Sequence, residues 1–209
     1  MRRSRTGFTL VELMIVVAII GVLASLAIYG VRRYLQSAKS SEARIGVGAI
    51  SRGAIAAFER EQAVGEAVNE GSTGTALARN ICIGSQNPVP STKTKVKGKK
   101  YQPTTGHDED YDTGTDTVGW RCLRFKMTSP QYFQYGYQAN ALSPFGGIKG
   151  TGPTGPMAGI TSNGQFISWA SGDLDGDETM SDFAQRGAVN TTTMQARLAT
   201  QLEINDEFE

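Results

Sequence analysis

Few residues in this chain have the type and spacing to do chemistry. The only histidine, His107, stands beside Asp108 with no nucleophile and matching base near it in sequence. Asp173, Asp175 and Asp177 alternate along Gly-Asp-Leu-Asp-Gly-Asp-Glu-Thr (172–179), as carboxylates do at the opening of a calcium loop. The pattern breaks at its sixth position, Glu178, where glycine is expected, and at its twelfth, Ala184, where a bidentate glutamate is expected. A calcium reading therefore calls on Asp182 as a substitute ligand; the plain alternative is an acidic turn between Trp169 and Phe183. Cys82 and Cys122 are either a disulfide or two buried thiols. No Cys/His group has zinc spacing. The glycines of 146–155 do not follow a strand and open a helix, as a dinucleotide site needs. An enzyme is not expected.

Glu12 is the other anomaly. It is the only charge in residues 8–29, a run of about 22 mostly aliphatic residues. A helix needs roughly 20 to cross the hydrocarbon core of a bilayer. Arg2, Arg3 and Arg5 precede the run and Arg32 and Arg33 follow it, so cationic side chains can reach headgroups at both ends. The basic leader is the end expected to stay in the cytoplasm. A carboxylate inside such a helix costs about 2.5–3.5 kcal/mol and is a functional candidate by default. It needs a cation, and its own helix supplies none. Cutting the chain after Gly7 would create one. Phe8 would then carry a free amine one helical turn from Glu12, and in a bundle of parallel helices that amine could meet the carboxylate of a neighbour. A secretory signal cleaved after Ser25-Leu26-Ala27 fits less well, because its apolar region should be only about 7–15 residues long. A simple membrane anchor leaves Glu12 unexplained.

Residues 7–31, GFTLVELMIVVAIIGVLASLAIYGV, resemble the N-terminus of a short-leader type IV pilin, of the type IVa-like major kind in its prepilin form. The resemblance rests on a basic leader ending in Gly, then Phe, a Thr-Leu-Val-Glu-Leu core and a long aliphatic helix. It implies that a membrane peptidase cuts between Gly7 and Phe8 and N-methylates Phe8. It implies that Glu12 sets the register of incoming subunits. The chain would be a structural pilus subunit in the inner membrane before assembly and in an extracellular filament after it. Its partners would be copies of itself, the prepilin peptidase, the assembly platform and the secretin. Such filaments serve attachment, twitching-type motility or DNA uptake. Where the family usually has a proline, this chain has Tyr29. The alternatives are a pseudopilin or minor pilin of a secretion or competence machine, and, from another class, a membrane-tethered binding module.

The chain has 209 residues, enough for one globular domain beyond the helix. Net charge is +1, and losing the three leader arginines takes it to −2, which gives no general reason for a nucleic-acid partner. Its 25 glycines suit a loop-rich β domain. Cysteines on the exported side of a membrane meet oxidising conditions, which favour the disulfide.

Helical signal continues past Tyr29. Val31, Leu35, Ala38, Ile45, Ala49 and Ala56 recur at near three-to-four spacing, and no proline interrupts 31–63. One helix is expected over about 9–63, membrane or filament core in 8–30 and amphipathic in 31–63. Gly46, Gly48 and Gly53 would allow close packing on a sheet. A β-rich head is expected over 64–209, with loop insertions at 85–119 and 143–159. Expected strands are 81–83, 120–125, 131–137, 165–170 and 183–189, with the state of 190–209 open. The fold class is therefore α+β, a long helix on an antiparallel sheet of about four strands. The lysine run 93–100 is either a patch for DNA, another anionic polymer or an acidic neighbouring subunit, or a solvated loop balanced by the acidic run 107–112. The aromatics of 131–137 are either a stacking platform or core.

Overall fold

The computed structural model describes residues 7–60, 81–84, 87–139, 164–190 and 193–207. The expected loop at 143–159, the helical end at 61–63 and the first part of the expected head, 64–80, lie outside these residues.

Helix α1 (Leu10–Glu59) runs 50 residues, about 75 Å at 1.5 Å per residue. Its sequence divides it. In the first half, aliphatic residues lie on every face and remain exposed. From Ser40 on, Ala43, Val47, Ile50, Ala54, Ala57 and Phe58 recur every three or four residues and form the buried face. No proline breaks the helix, and it runs through Gly21 and Gly30. Gly46 permits close approach to the sheet: a Cβ there would stand 2.4 Å from the Tyr135 ring. Gly53 does the same for a different neighbour, with a Cβ 2.8 Å from the Leu123 carbonyl. Gly48 faces open space apart from Arg52.

The buried face packs on an antiparallel sheet of β1 (Gln134–Ala139), β2 (Gln165–Gly172), β3 (Ser181–Asn190), β4 (Gln195–Leu198) and β5 (Glu203–Asn205). Five strands replace the four expected, yet they occupy four lanes. Both β4 and β5 pair with β3, at Gly187↔Leu198 and Ala184↔Glu203. The edge uses two more residues than β3 between those pairs, so it is one strand interrupted by a bulge. Phe133, Tyr135, Tyr137, Phe166, Ala170 and Phe183 share the main core with α1. Phe133, Tyr135 and Tyr137 are thus buried core rather than a platform, Tyr132 is only partly buried, and the strand there begins only at Gln134. Ile83 makes one bridge, to Val118, rather than a strand.

The expected strand at 120–125 is instead helix α2 (Gly119–Leu123), one turn stopped by Arg124 in the left-handed region at φ 52°. Trp-Arg-Cys-Leu is too short for alternation to be told from a helical turn. The turn sends Trp120, Cys122 and Leu123 inward together, which a strand could not do for the adjacent pair 122 and 123. Cys122 is bonded to Cys82, with Cα atoms 5.8 Å apart. Trp120 meets Tyr111 edge-to-face at 5.0 Å, and Phe125 joins them. The segment enclosed by the disulfide also contributes Val89 to this core.

Candidate assembly site at the N-terminus

Residues 7–9 lie outside the helix and Thr9 is its N-cap, at φ −77° and ψ 151°. The Glu12 amide donates to Thr9 Oγ1 at 3.3 Å. In return Glu12 Oε2 accepts the Thr9 amide at 2.9 Å and the Thr9 hydroxyl at 2.8 Å. This reciprocal capping box satisfies donors that a helix start otherwise leaves open. The carboxylate therefore has neutral partners on its own chain as well as the need for a cation. The signal was in the sequence: Thr-x-x-Glu immediately before an apolar run. Gly7 and Phe8 precede the cap in exposed chain outside the helix, with Phe8 91% exposed. Beyond it, an 18-residue window of α1 has mean hydropathy 2.7 and none of it is buried. By length and composition the helix can cross a membrane.

The second candidate site is split by the structure. Asp173, Asp175 and Asp177 bring carboxylate oxygens within 4.8 Å of one another; Asp182 is not in that group. Each of the three is used by the turn itself. Asp173 accepts the Gly176 amide at 2.6 Å and the Glu178 amide at 3.0 Å, one on each oxygen. Asp175 accepts the Asp177 amide and Asp177 the Thr179 amide. Glu178, at the position where a calcium loop wants glycine, holds φ 80° and pairs with Lys97 at 2.7 Å. A hard cation wants six to eight oxygens. Here both oxygens of the one buried carboxylate are committed to backbone amides. The donor set fits a self-capped acidic turn better than calcium. Asp182 lies on β3 opposite Ser171, where burial pushes its carboxyl up.

Basic and acidic runs do not balance each other as expected. The lysines turn toward the β2–β3 loop and toward rings. Lys97 takes Glu178, the Gly98 amide donates to the Asp173 carbonyl, and Lys95 and Lys100 lie over Tyr101 and Tyr132. The acidic run takes other cations. Arg121 joins Asp108 and Asp112, each at 2.9 Å, and Lys126 joins Asp112. Hydrogen bonds from Arg121 and Lys126 hold the Asp112 carboxyl well below its usual range. His107 sits on the rim of this network, beside Asp108 and Arg121.

Residues 2–28 match the family described as the prokaryotic N-terminal methylation motif. This N-terminus carries that motif. The chain is similar to two probable minor fimbrial proteins of Dichelobacter nodosus, each 34% identical over 97 residues, 46% of this chain and 52% of the relative. Fimbrial protein EcpC of Eikenella corrodens is 36% identical over 69 residues, 33% of this chain and 44% of that protein. The chain thus spans about half the length of the curated relatives it matches. No solved structure matches it.

Proposed function

We propose that this chain is a structural subunit of a type IV pilus, made as a prepilin, cut between Gly7 and Phe8, and N-methylated at Phe8. The observation that carries the reading is a helix start exposed on all sides, uncharged from 13 to 31, with one carboxylate held at its first turn. Residues 8–29 are buried by lipid before assembly and by the same segment of neighbouring subunits after it. Glu12 sets the register. Its capping bonds to Thr9 serve in the membrane, and the Phe8 amine of a neighbour replaces or joins them in the fibre. An unpaired carboxylate in that core is costly, so misregistered subunits are rejected. The partners are the prepilin peptidase, the assembly platform, the secretin and further copies of this chain. The fibre ends outside the cell. A Gly7→Val variant should persist as a longer, unmethylated chain in the membrane; N-terminal sequencing of sheared fibres starting at Met1 or Ile28 would refute the reading.

A second reading is favoured by the names of the Dichelobacter relatives, which call them minor fimbrial proteins. In it this chain is a rare subunit that initiates or decorates a fibre built from another pilin. Quantitative mass spectrometry of sheared fibres decides: a major pilin is the bulk of the protein, a minor one a small fraction.

A further inference from the structure

The sheet carries a polar row on the face turned away from α1. Ala170 and Phe183 join the core with the helix, so their neighbours Ser171 and Asp182 point to the other side. Asp182 pairs with Ser171 on one flank and with Asn205 on the other, which puts the three side chains on one face. A cleft of about 550 Å³ opens beside this row, with Lys93, Glu178, Met180, Asp182, Asn205 and Asp206 in its lining. Asp182 is only 2% exposed, yet its Oδ1 accepts no hydrogen bond, and the Ser171 hydroxyl opposite has no partner either. Burial raises the Asp182 carboxyl and the charge of Asp206 adds to this, while Ser171 and Lys93 oppose it. Lys93 thus acts on Asp182 without donating to Oδ1. A buried carboxylate with no donor is costly.

The neighbouring groups decide which cation fits. Asn205 Nδ2 donates to Asp206 Oδ2 at 3.0 Å, which leaves Asn205 Oδ1 and Asp206 Oδ1 as acceptors. Glu178 is held by Lys97 at 2.7 Å. Among the described residues no third acid brings its carboxylate within 4.8 Å of both Asp182 and Asp206, whereas a hard metal ion wants about six to eight oxygens. A primary ammonium is better matched. It has three N–H donors, and Asp182, Asp206 and Asn205 Oδ1 offer an acceptor each. Met180, half-buried in the lining, is flexible apolar surface for a carbon chain. We propose that this cleft binds the primary ammonium of an alkylamine, a small free amine or the lysine side chain of a second copy, with Asp182 and Asp206 as its charged partners. Lys93 is a like charge in the wall and weakens that binding.

The full chain, isotopically labelled and in non-ionic detergent, can be titrated at fixed ionic strength with n-butylamine, tetramethylammonium and calcium. The readout is the amide resonances of Ser171, Asp182 and Asn205. The butylamine should move them, and at equal concentration the other two cations should not. Asp182→Asn and Asp206→Asn should each weaken the binding about tenfold, the factor for about one charge-assisted hydrogen bond. Asp206 stands in an exposed bend at φ 47°, a conformation asparagine adopts readily, so this variant folds even where Asp182→Asn does not. Lys93→Gln should tighten the binding, which a merely structural role for Asp182 would not produce. Two measurements separate the sources of the ammonium. An amine carried through purification and seen by native mass spectrometry marks a free ligand; carbodiimide coupling of Asp206 to a lysine of a second copy in sheared fibres marks a neighbour. Tetramethylammonium or calcium matching the butylamine, or wild-type affinity in both aspartate variants, would overturn the proposal.

Discussion

Gly46 and Gly48 sit two positions apart in one helix and should respond in opposite directions to alanine. In open space, alanine recovers about 0.5–1 kcal/mol of helix propensity, so Gly48→Ala should raise the melting temperature. At Gly46 the new methyl meets the buried Tyr135 ring, whose hydroxyl is tied to the Glu42 carbonyl at 3.3 Å. Overpacking of that kind costs about 1–3 kcal/mol and should outweigh the gain. Thermal melts of the two variants give the signs directly. Asp173 is the corresponding polar test. It is buried and accepts two loop amides, so Asp173→Ala should cost about 2–3 kcal/mol by stranding them. Because those oxygens are spent, millimolar calcium should not shift the wild-type melt; a rise of several degrees would restore the calcium reading. Glu42 carries a pH dependence. Burial raises its carboxyl above the ordinary glutamate value despite the Tyr132 amide, so the folded state holds the proton more tightly than the unfolded chain. Its contribution is then fully present below the unfolded value of about 4.5 and is lost as pH rises through the folded value. Glu42→Gln, which keeps an acceptor for Tyr132, should be more stable than wild type at pH 7 and show a flatter profile from pH 4.5 upward.

Elements were legible where a pattern ran long. Helix α1 could be read because fifty residues without proline carry first an all-round apolar face and then a stripe. Strands β2 and β3 could be read because Phe-Ile-Ser-Trp-Ala and Phe-Ala-Gln-Arg-Gly-Ala-Val are bounded by turn residues. The rest was decided by contacts far away in sequence. Helix α2 is one turn because the bond to Cys82, the Tyr111 ring and the Leu123–Gly53 approach all act on it. Strands β4 and β5 are four and three residues long, split by a bulge, and neither Gln-Ala-Arg-Leu nor Glu-Ile-Asn alternates strongly enough to announce an edge. The disulfide is one of the contacts that fix α2. Closing a loop of 40 residues should be worth roughly 4 kcal/mol. A Cys82→Ala/Cys122→Ala chain should therefore melt many degrees lower. Its near-ultraviolet dichroism should also fade first, since Trp120 loses the enclosure that Tyr111 and Phe125 provide. An unchanged melt would mean that burial of Trp120 and Leu123 suffices.

At the scale of the whole molecule, two halves of one helix have incompatible solvents. The head satisfies the second half, through the sheet and through Arg44 and Ser40, which reach Glu207 at the end of the described chain. Among the described residues nothing covers the first half, which leaves it to lipid or like helices. The capping box adds a condition to that exchange. Glu12 is comfortable in the isolated chain because Thr9 supplies two donors, and assembly must offer at least as much. Glutamine separates the two roles, because it serves in a capping box as glutamate does but carries no charge for an amine. Glu12→Gln should therefore keep its helix, reside in the membrane and be cut after Gly7 at the wild-type rate, yet yield few or no fibres. Glu12→Ala should lose both roles, fraying at the first turn as well as failing to assemble. The decisive measurement pairs mass spectrometry of the processed N-terminus with electron microscopy of sheared fibres. If Glu12→Gln made fibres as abundantly as wild type, capping would be the whole purpose of this carboxylate and charge pairing between subunits would not set their register.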